Sequence, residues 1–373
     1  MKKIMKKNKS RVWLEIDTRR IIKNFNSIRK STGGIPIMTV LKANAYGLGA
    51  KTLAPVLAQA GADRIGVAEL KEAASIINKV TVPVQIIGGI LENEIADAVK
   101  MNLVLPAGNI DIAKKISKVS VLQGCRTRVH ILIDTGMGRL GFLPEDAPHA
   151  VRTIAALPGV SIEGIYSHYA NANDRKHPKT REQTAVFLKV LASLPEIQFP
   201  IIHIANSDAI NNFPDTYFNM VRTGINLYGV FDLQGLHRYS LLPTLSLKTR
   251  LIDNRILPKG STVGYGCTHT LKKDTPVGTI SAGYADGIPL AASNSGKVII
   301  NDIYCQIIGR VSMDYTTVDL SLCPDVKPGT IVTIMGSSKS KKITVEDNAR
   351  IKNTHPYDII CSLGSRVERV YVS

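Results

Sequence analysis

Through the first two thirds of this chain, short runs of β-branched residues alternate with segments of helical patterning. That alternation restricts the possible folds more than any other feature. Eight strand-like runs lie at 35–40, 64–67, 84–87, 103–105, 128–134, 163–168, 200–204 and 219–222. Helical patterns fall between most of them, at 69–78, 92–100, 109–118, 147–157 and 181–194. In the first of these, Leu70, Ala73, Ala74 and Ile77 recur at helical spacing beside Glu69 and Glu72, which makes one face apolar. Pro55, within 51–60, predicts a kink or a late helix start there. Parallel strands need a crossover, and a helix supplies it. Eight strand–helix units are the count of a (β/α)8 barrel.

After about Leu245 the pattern changes. Strand-like runs follow at 245–252, 277–282, 297–300, 304–308, 316–320, 331–335 and 367–372, and only 345–351 reads as a helix. Turns rich in Gly, Pro, Asp and Asn separate these runs, as in a mostly-β domain. The expectation is an α/β protein: a basic tail over 1–11, a TIM-type (β/α)8 barrel over 12–245, and a mostly-β C-terminal domain over 246–373. The run at 12–16 precedes the barrel and is free to join the C-terminal sheet. A length of 373 residues with 44% hydrophobic content suits two domains with full cores.

The net charge of +17 raises nucleic acid and membrane surfaces as partners. The lysines are spread out, however, and the one dense run lies in the tail, where solvation accounts for it. No zinc-finger spacing or aromatic-glycine strand motif accompanies the charge, so neither nucleic acid nor membrane is expected as a partner. The tail has no apolar stretch behind it, and no run approaches the roughly 20 residues of a membrane span. The cysteines are odd in number, dispersed and never in a C-x-x-C pair, so neither a disulfide framework nor a metal site is expected. The sequence reads as a soluble, reduced, cytoplasmic protein.

Barrel enzymes place their chemistry at the C-terminal ends of the strands. Lys42 follows directly on the first barrel run, in Val40-Leu41-Lys42-Ala43-Asn44-Ala45-Tyr46-Gly47. Desolvation at a barrel mouth favours a neutral amine, which can form a Schiff base with an aldehyde such as pyridoxal phosphate. The plainer alternative is a lysine snorkelling from a strand end. Other polar groups converge on the same predicted rim: Asp134 to Gly141, Tyr166-Ser167-His168, His203 to Ser207, and Arg222 to Ile225. Ser207, with the backbone N–H groups of Gly224 and Ile225, would form a phosphate site after strands seven and eight. Gly136-Met137-Gly138-Arg139-Leu140-Gly141 also matches a dinucleotide fingerprint, with Glu163 further on. It lies at the fifth strand rather than in a first βαβ unit, and Pro144 follows too closely for a helix to start at the loop. The dinucleotide reading is therefore set aside.

The segment 40–49 resembles the cofactor-lysine motif of the alanine racemases. The likeness runs from Val12 to Tyr371 and includes Asp134 to Gly141, Val263-Gly264-Tyr265-Gly266, Gly283-Tyr284-Ala285-Asp286-Gly287 and Gly309 to Asp314. It implies a homodimer that interconverts L- and D-alanine with pyridoxal 5'-phosphate and supplies D-alanine for the bacterial cell wall. Lys42 would carry the cofactor and serve as one base. Tyr265 would be the second base, offered to the partner subunit's site. Arg222 would face the pyridine nitrogen. Tyr46, Ser207, Gly224, Ile225 and Tyr357 would bind the phosphate, with Asn206 close to the cofactor. His168 would support the ring and Arg222, with His203 behind. Arg139 and the Met313 backbone would meet the carboxylate of the amino-acid substrate, and Tyr284 would line the entrance. Taken singly, Tyr265, Tyr284 and Met313 would pass as packing residues.

Two positions depart from the family pattern. Seven residues before Arg139 the family commonly has a lysine that is carbamylated; here Leu132 stands there. Glu368 replaces a usual proline in Arg366-Val367-Glu368-Arg369, which nothing in the sequence explains. Leu132 opens a second reading, a broad-specificity or serine-preferring racemase on the same scaffold. A pyridoxal-phosphate decarboxylase of the same plan and a non-catalytic cofactor-binding protein are further alternatives. The second would need only the barrel. The first fits the Gly-Tyr-Gly turn and the Gly-Tyr-Ala-Asp-Gly run less well.

Overall fold

The computed structural model describes residues 9–232 and 237–373. Positions 1–8 of the expected basic tail lie outside the described residues. The chain forms two compact units, one of Ile22–Leu241 and one of Leu242–Ser373 together with the segment that ends at Ile21.

The first unit is the barrel. After strand β1 (Val12–Asp17), which belongs to the other unit, come β2 (Ile37–Val40), β3 (Arg64–Val67), β4 (Val84–Ile86), β5 (Leu105–Ala107), β6 (Thr127–Leu132), β7 (Val160–Tyr166), β8 (Ile201–His203) and β9 (Val221–Thr223). All are parallel, in the orders β4-β3-β2-β9 and β5-β6-β7-β8. A bridge between Gln85 and Val104 joins β4 to β5, and Arg222 N–H to Ala205 C=O, 2.9 Å, links β9 to the end of β8. The ring of eight is thus complete. Strands β2 to β5 and β9 are buried along their whole length, because the barrel interior covers one face and helices the other.

Two expectations shift here. The run at 103–105 uses Val104 for the bridge to β4, while its ladder to β6 is displaced to Leu105–Ala107. The segment at Pro55 has no late start, because the helix Ala50–Gln59 runs through it. One backbone N–H is lost, but Leu53, Ala54 and Leu57 bury the helix against the barrel, and burial of each Leu is worth about 1.5–3 kcal/mol.

The second unit is mostly β. Its strands are β1, β10 (Leu245–Leu257), β11 (Thr262–Val263), β12 (His269–Thr270), β13 (Thr275–Ile280), β14 (Lys297–Ile300), β15 (Ile303–Gln306), β16 (Thr316–Asp319), β17 (Ile331–Ser337), β18 (Lys342–Ile343) and β19 (Glu368–Val372). The main order is β15-β14-β17-β10-β1-β19. Strand β1 runs antiparallel to β10, with Val12 opposite Thr249, and parallel to β19, with Trp13 opposite Glu368. The segment at 12–16 therefore lies in this sheet and outside the barrel, whose compact unit begins at Ile22. A register shift between Leu251 and Asp253 turns β10 onto β13, as a bulge does.

A second helix, Pro356–Cys361, adds to the one expected over 345–351, which spans Val345–Lys352. Six residues are too few to show a helical stripe in sequence. Cys305 and Cys323, far apart in the chain, are free thiols with their sulfurs 3.4 Å apart in the interior. No helix among the described residues is long and apolar enough to cross a membrane, and no cluster of three metal-ligating side chains occurs among them.

Candidate active site

The turn after β2 shapes the site. Ala43, Asn44, Ala45 and Tyr46 all have left-handed backbone angles, with φ of 52°, 55°, 56° and 59°, and Gly47 follows at 80°. For L-residues this costs roughly 1–2 kcal/mol each. The turn is held by Ala45 N–H to Leu41 C=O, 2.8 Å, and Gly47 N–H to Ala43 C=O, 2.7 Å. Glu72 braces it from outside, accepting from Asn44 N–H at 3.3 Å and Ala68 N–H at 2.8 Å. The Asn44 side chain in turn accepts from Ala50 N–H at 2.9 Å. Strain of this kind persists only where the surroundings over-determine it. Nothing in Ala-Asn-Ala-Tyr announces it beyond the tolerance of Asn for this region.

Lys42 opens onto a cavity of about 200 Å³ that is also lined by Leu132, Arg139, Tyr166, His168 and Arg222. Arg222 is buried at its back. Its Nη1 donates to His203 Nδ1 at 2.7 Å and to His203 C=O at 3.2 Å. Its Nη2 meets Ser167 C=O, His168 Nδ1 and Ile204 C=O at 2.9, 3.1 and 3.0 Å. These acceptors are neutral, so hydrogen bonds and not a counter-ion offset the cost of burying the cation. Burial still lowers Arg222 to about 10, which leaves it charged at neutral pH. Burial, reinforced by Arg222, lowers His168 to about 3 and drives His203 well below its ordinary value. Tyr166, read from the sequence only as part of the polar rim, stacks on His203 with ring centroids 4.9 Å apart.

Beyond Arg222 the chain reaches a second cluster. Ser207 Oγ accepts from Gly224 N–H at 2.9 Å. A Cβ at Gly224 would lie 2.1 Å from the Tyr46 hydroxyl, so only glycine admits that ring. Ile225 and Ser207 are buried beside it. The Asn206 side chain accepts from Ala209 N–H at 3.0 Å and caps the helix Ser207–Asn212.

The glycine-rich loop after β6 has its own local purpose. The Asp134 carboxylate accepts four backbone N–H bonds, from Gly136, Met137, Gly138 and Arg139, at 2.8–3.0 Å. Burial opposes ionisation there, but the four donors outweigh it and hold Asp134 below the usual range. Gly141 (φ 115°) packs so closely that a Cβ would stand 2.8 Å from Leu132 C=O. The glycines thus form an Asp-centred loop that presents Arg139, and Glu163 points elsewhere. Among the described residues Arg139 forms no ion pair, and Leu132 beside the same cavity is apolar and buried.

The remaining expected residues lie in the β unit. Tyr265 follows β11 between Gly264 and Gly266, both at positive φ, and is 72% exposed. The loops of Tyr284 and Met313 are joined by Tyr284 N–H to Ser312 C=O, 3.0 Å, and Ala285 N–H to Met313 C=O, 3.2 Å. Arg366 clamps them, bidentate on Asp286 at 2.8 and 2.9 Å and 2.7 Å from Asp314. Tyr357 is half-buried on the helix Pro356–Cys361. Lys42, Arg139, His168 and Arg222 therefore share one cavity, and Tyr46, Ser207, Gly224 and Ile225 belong to the same barrel unit. Tyr265, Tyr284, Met313 and Tyr357 stand in the second unit.

Known proteins with the same organisation were found along the whole chain. The family pattern described as alanine racemase, N-terminal domain, matches residues 16–232, and that of the C-terminal domain matches 244–371. The alanine racemase of Desulforamulus reducens is 38% identical over 98% of this chain and 100% of its own length. That of Methanococcus maripaludis is 35% identical over 97% of this chain and 98% of its own. A solved alanine racemase structure from Clostridium difficile has a TM-score of 0.92 at 29% identity, covering 98% of this chain and 97% of that one. Another, from Bartonella henselae with covalently bound pyridoxal phosphate, has a TM-score of 0.88 at 30% identity over 97% of this chain and 100% of that one.

Proposed function

This chain belongs to the alanine racemase family, and on that premise we propose that it interconverts L- and D-alanine with pyridoxal 5'-phosphate by a two-base mechanism. The observation that carries this reading is the shared cavity of Lys42 and the buried, carboxylate-free cation Arg222. The chain's groups suit that cofactor. Lys42 supplies the amine that holds its aldehyde carbon. Ser207 and Gly224, where a side chain would collide with Tyr46, leave a cradle for a phosphate, with Ile225 and Tyr357 as further contacts and Asn206 fixing the helix start.

When bound, pyridoxal phosphate acidifies the Cα–H of an attached amino acid by accepting the electron pair that its loss leaves. Lys42 Nζ removes or returns the Cα proton on one face, and Tyr265 Oη does so on the other. With two bases, neither has to cross the plane of the reacting centre. Arg222 would donate a hydrogen bond to the pyridine nitrogen while keeping its own proton, since an arginine at about 10 remains charged at neutral pH. That limits electron withdrawal and with it side reactions such as transamination. His168, kept neutral by burial, takes an Arg222 N–H and would support the cofactor ring. Arg139 and the Met313 backbone bind the substrate carboxylate, and Tyr284 lines the entrance. The exposure of Tyr265 supports a homodimer in which each subunit lends this tyrosine to the other's site. D-alanine made in the cytoplasm would supply the bacterial cell wall.

One observation favours broader specificity. A second cavity of about 490 Å³ shares Ala68, Gly88, Leu132 and Leu140 with the first. The shared wall is apolar where the family commonly has a charged side chain, so a larger amino-acid side chain has somewhere to go. A chiral assay of the holoenzyme on a panel of L-amino acids tests both readings. D-alanine as the main product supports the first, comparable rates with serine or longer side chains support the second, and carbon dioxide release without racemisation would refute both. Lys42→Ala should abolish turnover and the borohydride-reducible link to the cofactor.

A further inference from the structure

Below Arg222, three polar residues continue in single file through the barrel interior. His203 Nε2 lies 2.9 Å from His130 Nδ1, and His130 Nε2 lies 3.0 Å from Glu163 Oε2. Glu163 is also paired with Arg64 at 2.9 Å and Arg128 at 3.4 Å. His130 and His203 are fully buried. Room for the first ring is made by Gly164 on β7, where a Cβ would lie 2.6 Å from His130 Cε1 and 2.8 Å from Nδ1.

The direction of these bonds is forced by chemistry. A guanidinium only donates, so His203 Nδ1 must accept. A neutral imidazole that accepts at Nδ1 carries its proton on Nε2 and donates to His130 Nδ1. His130 then also carries its proton on Nε2 and donates to Glu163, an ionised carboxylate that only accepts. Each donor meets an acceptor in this arrangement alone. The opposite tautomer of either ring, or an imidazolium at His130, would set N–H against N–H at some step. Burial favours the neutral rings: it lowers His130 to about 4, with Glu163 partly opposing. At the far end burial raises Glu163, but His130 and Arg64 outweigh it and hold the acid at about 2.

We propose that Glu163, acting through His130 and His203, is a positioning residue for Arg222. Its carboxylate selects the Nε2–H tautomer of both rings and so keeps a lone pair, not a proton, aimed at the guanidinium. This rests on the reading that Arg222 serves the cofactor ring. The group that fixes the geometry behind that ring therefore sits at the opposite end of a hydrogen-bonded column, outside the cavity.

The test combines nitrogen-15 NMR of histidine-labelled protein, cofactor-free and loaded, with kinetics of three variants. In the wild type His130 and His203 should both show protonated Nε2 and bare Nδ1 in either state; an Nδ1–H form or a mixture overturns the proposal. His130→Phe keeps the Glu163–Arg64–Arg128 cluster but removes the acceptor for His203. His203 should then populate both tautomers. With one charge-assisted bond weakened, kcat should fall about tenfold, while KM for alanine changes less than about twofold, because Arg222 does not touch the substrate. Glu163→Gln retains a neutral acceptor and should keep the wild-type tautomers and most of kcat, which a merely structural role in pairing Arg64 would not predict. A His203 tautomer shift with kcat and the bound-cofactor absorbance unchanged in His130→Phe, while Arg222→Lys alters both, overturns the relay alone. No change in Arg222→Lys either overturns the assignment of Arg222, and the proposal with it.

Discussion

Acid should destabilise this barrel before its carboxylates titrate, because three interior histidines are held neutral. Burial lowers His130 from 6.5 to about 4 and His168 from 6.5 to about 3, and puts His203 well below 6.5. Depressed folded-state values mean that the unfolded chain binds protons first as pH falls. The stability these rings leave intact above pH 6.5 is therefore lost progressively below it, until the folded rings protonate near 4 and 3. At pH 5.5 each unfolded ring is about nine-tenths protonated and the folded ones scarcely at all. Relative to pH 7.5 each costs about 1.3 kcal/mol, or about 4 kcal/mol for the three. That is a large share of the roughly 5–15 kcal/mol of a typical domain. Urea unfolding followed by circular dichroism at pH 7.5, 6.5 and 5.5 would measure the loss. Calorimetric proton uptake on unfolding at pH 5.5 would count the groups, with about 2.7 protons expected from these rings. His130→Phe removes one of them and should lower the uptake by about 0.9 proton. A variant that takes up as many protons as the wild type would refute the neutral, desolvated state of His130 and the direction of the column built on it.

Three further outcomes are expected. Gly224→Ala would place a Cβ 2.1 Å from the buried Tyr46 hydroxyl; overpacking of this kind costs about 1–3 kcal/mol. Thermal melting and a titration with pyridoxal phosphate should show a lower Tm and weaker cofactor binding. Turnover should not respond to bicarbonate at fixed pH and ionic strength, because Leu132 cannot carry a carbamate beside Arg139; a several-fold rescue would contradict this. Inactive Lys42→Ala and Tyr265→Phe subunits, mixed and exchanged, should regain part of the wild-type activity if the site is shared between chains, and no recovery after verified exchange would count against a shared site.

Local periodicity made the barrel legible in the sequence. Strand runs such as Arg64–Val67 in the barrel, and Lys297–Ile300 in the β unit, carry their own β-branched pattern, and the order of motifs from Lys42 to Arg222 follows from a fold that collects strand ends on one rim. Contacts between distant segments could not be read that way. Strand β1 joins β10 and β19 because its ladder partners lie some 230 and 350 residues on, and nothing local to Val12–Asp17 distinguishes them from a barrel neighbour. The left-handed turn at Ala43–Tyr46 is imposed by Glu72 and by the fit of Tyr46 against Gly224, although its Ala and Tyr residues have no intrinsic preference for positive φ. Glu163 shows the limit most directly. By spacing it resembled the acid of a dinucleotide fingerprint. Only the folded barrel, by setting β6, β7 and β8 side by side and bringing Arg64 of β3 to them, places it under His130 and His203. Sequence determined which residues were available to the site and on which strands they would be carried. Tertiary structure decided which of them meet, because hydrogen-bond direction and desolvation depend on neighbours that only the closed barrel supplies.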